Sequence, residues 1–138
     1  GKLVGIASVS GIRGLPGSEA YGASKSAVIT YNESLRVGLR KTGIKVQTIS
    51  PGFVRTPLTS ANPYKMPFVL TPDEFAERAV KTIDSDATYR TIPWQMGLLA
   101  KAMRIAPNCL WDKIVANRKQ KPRLADKQKA EAEAAQRK

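Results

Sequence analysis

Apolar and polar positions along the first fifty residues predict a strand, a helix and a second strand. Residues 3–8, LVGIAS, form a nearly continuous apolar run that ends in a segment rich in Ser, Gly and Pro. Such a run is typical of a parallel strand that is covered on both faces. Residues 44–49, IKVQTI, are largely β-branched and stop at Pro51 and Gly52, which predicts the second strand.

Between these strands, small and apolar residues recur at intervals of three and four positions from Glu19 to about Lys41, and Gly43 follows them. This spacing predicts a long helix that the glycine closes. The succession of strand, helix and strand indicates a right-handed βαβ unit and therefore a parallel sheet. One face of the helix consists of Ala20, Ala23, Ala27, Tyr31, Leu35 and Leu39. This face fits packing within the domain as well as packing against a second subunit.

The rest of the chain predicts a loop followed by further elements. Residues 52–71 form an irregular segment rich in proline, and a loop of this length usually covers a site or is disordered. Thr71, Pro72 and Asp73 have the order of an N-cap, a first helical residue and a first-turn acid, which predicts a helix to about Ile83. Residues 88–93 predict a third strand. Residues 95–105 and 107–117 predict two amphipathic helices separated at Pro107.

Composition and charge narrow the choice of partners. The chain has 138 residues, a length that suffices for one modest α/β domain. Of these residues, 42% are hydrophobic and 25% are charged, as is usual for a globular protein. Its net charge of +12 favours anionic partners: a nucleic acid, a membrane surface or a phosphorylated cofactor. Residues 118–138 carry eight Lys or Arg and three Asp or Glu but no aromatic side chain, which favours a solvated extension over a nucleic-acid arm. The amphipathic segment 94–111 fits a membrane interface or a core or subunit contact.

Several classes of function are excluded by the residue types. The chain contains no histidine, so it has neither a Ser-His-Asp triad nor the usual kind of zinc cluster. Cys109 is the single cysteine, which excludes an internal disulfide and favours a reducing, cytoplasmic compartment. We find no apolar run of about eighteen residues and no signal-peptide pattern. Since the chain opens without Met and directly before a strand, we expect it to be the later part of a longer protein.

Tyr21 and Lys25 are the first candidate catalytic pair. Residues four apart in a helix lie on one face, about 6 Å apart along the axis, so the phenol and the ammonium can address one small molecule. A nearby cation favours the phenolate form of a tyrosine, which suits acid/base chemistry. Only small residues separate the two, which leaves room for a flat ligand. Such a spacing also arises by chance, so the pair alone proves little.

The carboxyl ends of the two predicted strands supply the other candidates. Ser8 ends the first strand, and Pro51-Gly52 follows the second. In a parallel sheet these ends open onto one edge, where ligands bind. Ser10 competes with Ser8 for the serine role, although the spacing to Tyr21 favours Ser8. We therefore expect the serine, Tyr21, Lys25 and the PGFVRT segment to converge.

Together, GKLVGIASVSG, YGASKSAV and GIKVQTISPGFVRT resemble the second half of a short-chain dehydrogenase/reductase. The resemblance covers residues 1–93 and implies the carboxyl-terminal part of a Rossmann-like, doubly wound parallel sheet. It implies that Ser8 binds the substrate oxygen, that Tyr21 transfers the proton and that Lys25 binds the nicotinamide ribose. It further implies an NAD or NADP cofactor, an alcohol or ketone substrate and a homo-oligomer. The remaining residues that it assigns to the nicotinamide end are Pro51, Gly52, Val54 and Thr56.

The chain also departs from that family. The first half, with its glycine-rich phosphate-binding turn, has no counterpart here, and the spacing of Gly11, Gly14 and Gly17 does not fit such a turn. These glycines are better explained as shaping the loop after Ser8. We therefore expect the isolated chain to be inactive and its first strand to leave an unpaired edge.

The sequence thus predicts an α/β fold in three parts: a dehydrogenase-like catalytic part at 1–93, an amphipathic helical extension at 94–121 and a basic tail at 122–138. The predicted function is hydride transfer between NAD(P) and an alcohol or carbonyl compound. The alternative is a basic module that binds nucleic acid or a membrane surface on a non-catalytic, dehydrogenase-like fold.

Overall fold

The computed structural model describes residues 1–60, 62 and 65–116 and has an α/β fold. The tail predicted at 122–138 lies outside the described residues, and the three-part division stays a prediction. The strands are β1 (Lys2–Ile6), β2 (Lys45–Pro51) and β3 (Tyr89–Ile92). The helices are α1 (Glu19–Gly38), α2 (Pro57–Ser60), α3 (Pro72–Asp84), α4 (Trp94–Ile105) and α5 (Asn108–Val115), and a short 3-10 helix covers Val9–Gly11.

The three strands form one parallel sheet in the order β1-β2-β3. Val4 of β1 pairs with Gln47 of β2, and Ile49 of β2 pairs with Arg90 of β3. The central strand β2 is buried from residue 46 to residue 50, as expected for a strand with neighbours on both edges. Within the described part of the chain, β1 pairs with β2 alone, so its other edge is open. The predicted parallel α/β architecture is confirmed.

The core lies between β2, β3 and α3. Ile49 is completely buried and packs with Leu70, Ala79 and Ile92. Leu70 reaches this cluster because residues 53–55 and residue 70 run side by side, with Arg55 donating its backbone N–H to Leu70 and Leu70 donating to Phe53. The segment 52–71 is therefore less irregular than the sequence predicts, since it contains this pairing and the short helix α2.

Helix α1 packs on the sheet through a face that the apolar spacing did not indicate. On the predicted face, Leu35 and Leu39 are half-buried, but Ala20, Ala23, Ala27 and Tyr31 are exposed. Asn32, outside that face, is only 3% exposed. The Asn32 amide sits over Gly5 of β1, where a Cβ would lie 1.8 Å from Nδ2, and it donates to the Thr48 hydroxyl at 3.1 Å. A polar side chain is thus buried because it is hydrogen-bonded. Packing of this exposed face against a second subunit, and with it the homo-oligomer, stays a prediction.

Helix α3 begins with a capping box, which bears out the predicted N-terminus. The Thr71 hydroxyl accepts the backbone N–H of Glu74 at 3.2 Å, and the Glu74 carboxylate accepts the backbone N–H of Thr71 at 2.8 Å. The hydrogen bond from the Thr71 backbone, followed by that from its hydroxyl, lowers the pKa of Glu74. The stabilisation from this carboxylate is therefore present above its ordinary pKa and is lost as the pH falls through the lowered value.

Replacing Thr71 with Ala should lower the free energy of unfolding by about 1 kcal/mol at neutral pH, the usual cost of losing a helix cap. The loss should shrink in acid, because a protonated Glu74 no longer accepts two hydrogen bonds. Urea unfolding at neutral and acidic pH measures both effects. Thr30→Ala, at an exposed position inside α1, is the matched control. Equal losses for the two variants at neutral pH would contradict the prediction.

Candidate functional site

The loop after β1 fixes the first predicted site residue. The chain continues along the sheet beyond Ile6, since Ala7 donates its backbone N–H to Ile49 at 2.8 Å. Ser8 follows, 7% exposed and in extended conformation, and its hydroxyl accepts the backbone N–H of Ser10 at 3.2 Å. Ser8 thereby caps the short 3-10 helix. It lies two residues past the strand, at the carboxyl end of the sheet.

This loop lies directly against the backbone of α1 at Gly11. A Cβ on Gly11 would be 2.7 Å from the carbonyl carbon of Lys25 and 2.8 Å from the nitrogen of Ser26. Contacts this short do not occur for real Cβ atoms, so the position requires glycine. The interpretation of Gly11 as a residue that shapes the loop is therefore supported by a specific packing contact.

Tyr21 and Lys25 lie on one face of the first turns of α1, as their spacing predicts. The Lys25 Nζ is 5.7 Å from the centroid of the Tyr21 ring and donates to the carbonyl oxygen of Ile6 at 3.1 Å. That hydrogen bond holds the ammonium at the end of β1. The Tyr21 side chain is 48% exposed, so its ring is accessible from outside.

The second strand ends against the start of α4. Gly52 donates its backbone N–H to Ile92 at 2.8 Å, and a Cβ on Gly52 would be 2.7 Å from Cγ of Met96. Beyond Gly52, the Thr59 hydroxyl donates to the carbonyl oxygen of Val54 at 2.7 Å and accepts the backbone N–H of Thr56 at 2.9 Å. Thr59 therefore holds the turn that carries Val54 and Thr56.

A cavity of about 290 Å³ opens between these segments at the carboxyl end of the sheet. Its wall contains Ser8, Tyr21 and Gly52. It also contains Ser10, the alternative to Ser8 for the serine role. The other predicted cofactor residues, namely Lys25, Pro51, Val54 and Thr56, are not in its wall. Phe53, from the predicted PGFVRT segment, also lines the cavity. The sequence did not indicate the remaining lining residues, which are Val9, Gly17, Ser18, Thr59 and Asn62.

A pair of threonines three residues apart after a Pro-Gly turn is the signal that could have identified Thr59, since such hydroxyls bond to nearby backbone. Asn62 carries no comparable signal, because its placement depends on how the segment folds back onto β2. Among the described residues, no three His, Cys, Asp or Glu side chains are grouped so that they could hold a metal ion.

Comparisons with known proteins identify a family that this chain resembles. The family model for short chain dehydrogenase matches residues 1–66. An uncharacterized oxidoreductase from Myxococcus xanthus is 42% identical over 112 residues, covering 81% of this chain and 44% of the relative. One from Staphylococcus saprophyticus is 40% identical over 80 residues, covering 58% of this chain and 34% of the relative. The chain therefore spans less than half the length of these relatives.

Solved structures show the same fold. A short chain dehydrogenase from Burkholderia cenocepacia in complex with NADP superimposes with a TM-score of 0.70 at 17% identity, over 83% of this chain and 47% of that one. A 3-hydroxyacyl-CoA dehydrogenase type-2 from Mycobacterium avium gives a TM-score of 0.56 at 31% identity, over 66% and 41%. The fold is thus a Rossmann-like α/β fold. On the family match and these relatives, the chain belongs to the short-chain dehydrogenase family.

Proposed function

We propose that this chain forms the catalytic part of an NAD(P)-dependent oxidoreductase that transfers a hydride between the cofactor and an alcohol or carbonyl substrate. The observation that carries the proposal is the cavity at the carboxyl end of the sheet, where Ser8, Tyr21 and Gly52 meet. Ligands of parallel α/β folds bind at this end. Membership of the family does not favour the alternative, a non-catalytic module for nucleic acid or membranes.

Tyr21 is the proposed general acid and base. Its ring forms part of the cavity wall and is half exposed, so the phenol can meet a substrate oxygen there. Lys25 places a positive charge near the ring without itself entering the cavity wall. Reduction of a carbonyl would take the proton from Tyr21, and oxidation of an alcohol would return it.

Ser8 is the proposed contact for the substrate oxygen. Its hydroxyl oxygen accepts the N–H of Ser10, which leaves its own proton available for donation into the cavity. The hydrogen bond from Ser10 holds the Ser8 oxygen in place, and the hydroxyl proton can rotate toward the cavity. Ser10 also lines the cavity, so the choice between the two serines stays a prediction in favour of Ser8.

The residues around the cavity suit the nicotinamide end of NAD(P). An ammonium has three N–H donors, and Lys25 uses one on Ile6, so the others are available for ribose hydroxyls. The segment from Pro51 to Thr56 reaches the cavity wall at Gly52 and Phe53, which is where we place the carboxamide of the nicotinamide. When bound, the cofactor supplies or accepts the hydride.

We infer that the rest of the cofactor depends on chain outside this sequence. The relatives are more than twice as long as the part that this chain matches, and the outer edge of β1 is open within the described residues. Strands added at that edge would extend the parallel sheet beside Ser8. The isolated 138-residue chain should accordingly neither bind NADPH tightly nor turn over a carbonyl substrate.

A chimera tests this proposal. It joins the present chain, in the relative's own order, to the part of the Myxococcus xanthus protein that the chain does not match. Titration with NADH and NADPH, followed by nicotinamide fluorescence and thermal melting, should show binding to the chimera and little to the chain alone. A panel of ketones should then oxidise the bound cofactor. A folded chimera that binds neither cofactor would contradict the proposed function, whereas tight binding by the isolated chain would contradict only the dependence on the missing part.

A further inference from the structure

Helices α4 and α5 expose an unusual number of large apolar side chains. On α4, Trp94, Leu98 and Ile105 are spaced by one and two turns and therefore lie on one side of the helix, and Ile105 is 82% exposed. On α5, Leu110 and Ile114 are one turn apart and both are exposed. We call these five side chains the apolar helix surface.

A groove of about 620 Å³ between the two helices continues this surface. Monomeric soluble proteins rarely expose an apolar patch of this extent. Such a patch usually marks a site of interaction with another protein or a membrane. Every residue that lines the groove has an apolar side chain: Leu99, Ala102, Met103, Ala106, Leu110, Trp111, Ile114 and Val115.

Positively charged side chains lie beside the apolar helix surface. Lys101 lies on α4 between Leu98 and Ile105, and Lys113 precedes Ile114 on α5; both lysines are exposed. Within residues 94–116, Lys101, Arg104 and Lys113 stand against a single acidic residue, Asp112. A second copy of the chain would bring the same positive charge to the contact. An anionic lipid surface offers the opposite charge together with an apolar interior.

The helices are firmly attached to the domain. The Arg13 guanidinium donates to the carbonyl oxygens of Met103 at 2.9 Å and Ala106 at 2.6 Å, where α4 ends, and it lies 5.1 Å from the centroid of the Trp111 ring. Trp111 in turn donates its indole N–H to the carbonyl oxygen of Gly14 at 3.2 Å. The junction of α4 and α5 is thus joined to the loop between Ser8 and Tyr21. The apolar helix surface is therefore held in a fixed orientation.

We propose that the apolar helix surface docks the protein peripherally on a membrane that contains anionic lipids. Trp94, Leu98 and Ile105 enter the headgroup and acyl boundary, while Lys101 and Lys113 contact the headgroups. In the described ranges, no helix is both long and apolar enough to cross a bilayer. This inference does not depend on the proposed catalytic chemistry.

Vesicle flotation of the full 138-residue chain tests the proposal. Binding should require phosphatidylglycerol in a phosphatidylcholine bilayer and should weaken as salt is added. Leu98→Ser and Ile105→Ser should each reduce the partition coefficient about tenfold, since one large aliphatic side chain no longer enters the interface. The matched control is Val80→Ser, which removes an exposed aliphatic side chain from α3 and should bind like the parent chain. Far-UV circular dichroism checks that each variant is folded.

Two results would overturn the proposal. If the Leu98 and Ile105 variants bind phosphatidylglycerol vesicles as tightly as the parent chain, the apolar helix surface does not enter the membrane and the chain binds only as a polycation. If sedimentation velocity instead shows a dimer that the same substitutions dissociate, and vesicles are not bound, the surface is a contact between copies of the chain.

Discussion

Replacing Tyr21 with Phe should lower kcat for hydride transfer in the chimera by roughly a hundredfold to ten-thousandfold, the usual range for loss of a general acid or base. Phenylalanine retains the ring that forms the cavity wall and loses only the hydroxyl. Cofactor affinity should therefore change far less than kcat. Stopped-flow measurement of NAD(P)H oxidation separates the chemical step from cofactor binding.

Tyr31→Phe is the matched control for this experiment. Tyr31 lies on the same helix and is 64% exposed, but it is not among the residues that line the cavity. It should leave kcat unchanged. If Tyr21→Phe is as active as the control, Tyr21 has no role in proton transfer. If both variants lose activity together, the change lies in the folding of α1 instead of in the chemistry.

Replacing Gly11 with Ala should cause the largest loss of stability, about 1–3 kcal/mol, which is typical of forcing atoms into a packed site. The new Cβ would meet the backbone at Lys25 and Ser26 at 2.7 Å and 2.8 Å. Backbone atoms in the middle of a helix cannot rotate away as the end of a side chain can. The whole loop must therefore move off α1, and Ser8 moves with it, away from Tyr21.

Urea unfolding compares this variant with Gly14→Ala. Gly14 lies three residues further along the same loop and has no atom within 4 Å of the position that a Cβ would take. The control should be at least as stable as the parent, since alanine restricts the unfolded chain. Equal free energies of unfolding for the two variants would show that Gly11 does not contact the backbone of α1 in solution.

The sequence predicts the fold well, because the order of strands and helices depends on local patterns. The apolar runs at 3–8 and 44–49 correspond to β1 and β2, and the sequence around Thr71 places the start of α3 correctly. The inward face of α1 was not predictable. Asn32 is buried only because Gly5 and Thr48 lie opposite it, and both belong to other elements.

The candidate site was likewise predictable from the sequence only in part. The relation of Tyr21 to Lys25 follows from helical geometry, and that of Ser8 to Gly52 follows from the parallel sheet. Thr59 and Asn62 enter the cavity wall because the segment after β2 turns back toward Tyr21. Such a turn depends on distant contacts, among them the pairing of Val54 with Leu70. Local sequence carries little information about contacts of that kind.

The hydrogen bond from Arg13 to Ala106 at the end of α4 joins residues 93 positions apart in the chain. During synthesis, Arg13 leaves the ribosome long before the carbonyl groups that it will bind, and its guanidinium stays hydrated in the meantime. Closing so long a stretch of chain has an entropic cost and is therefore slow compared with forming a helix. The hydrogen bonds from Arg13 that hold the loop between Ser8 and Tyr21 therefore form only after α4 has been translated.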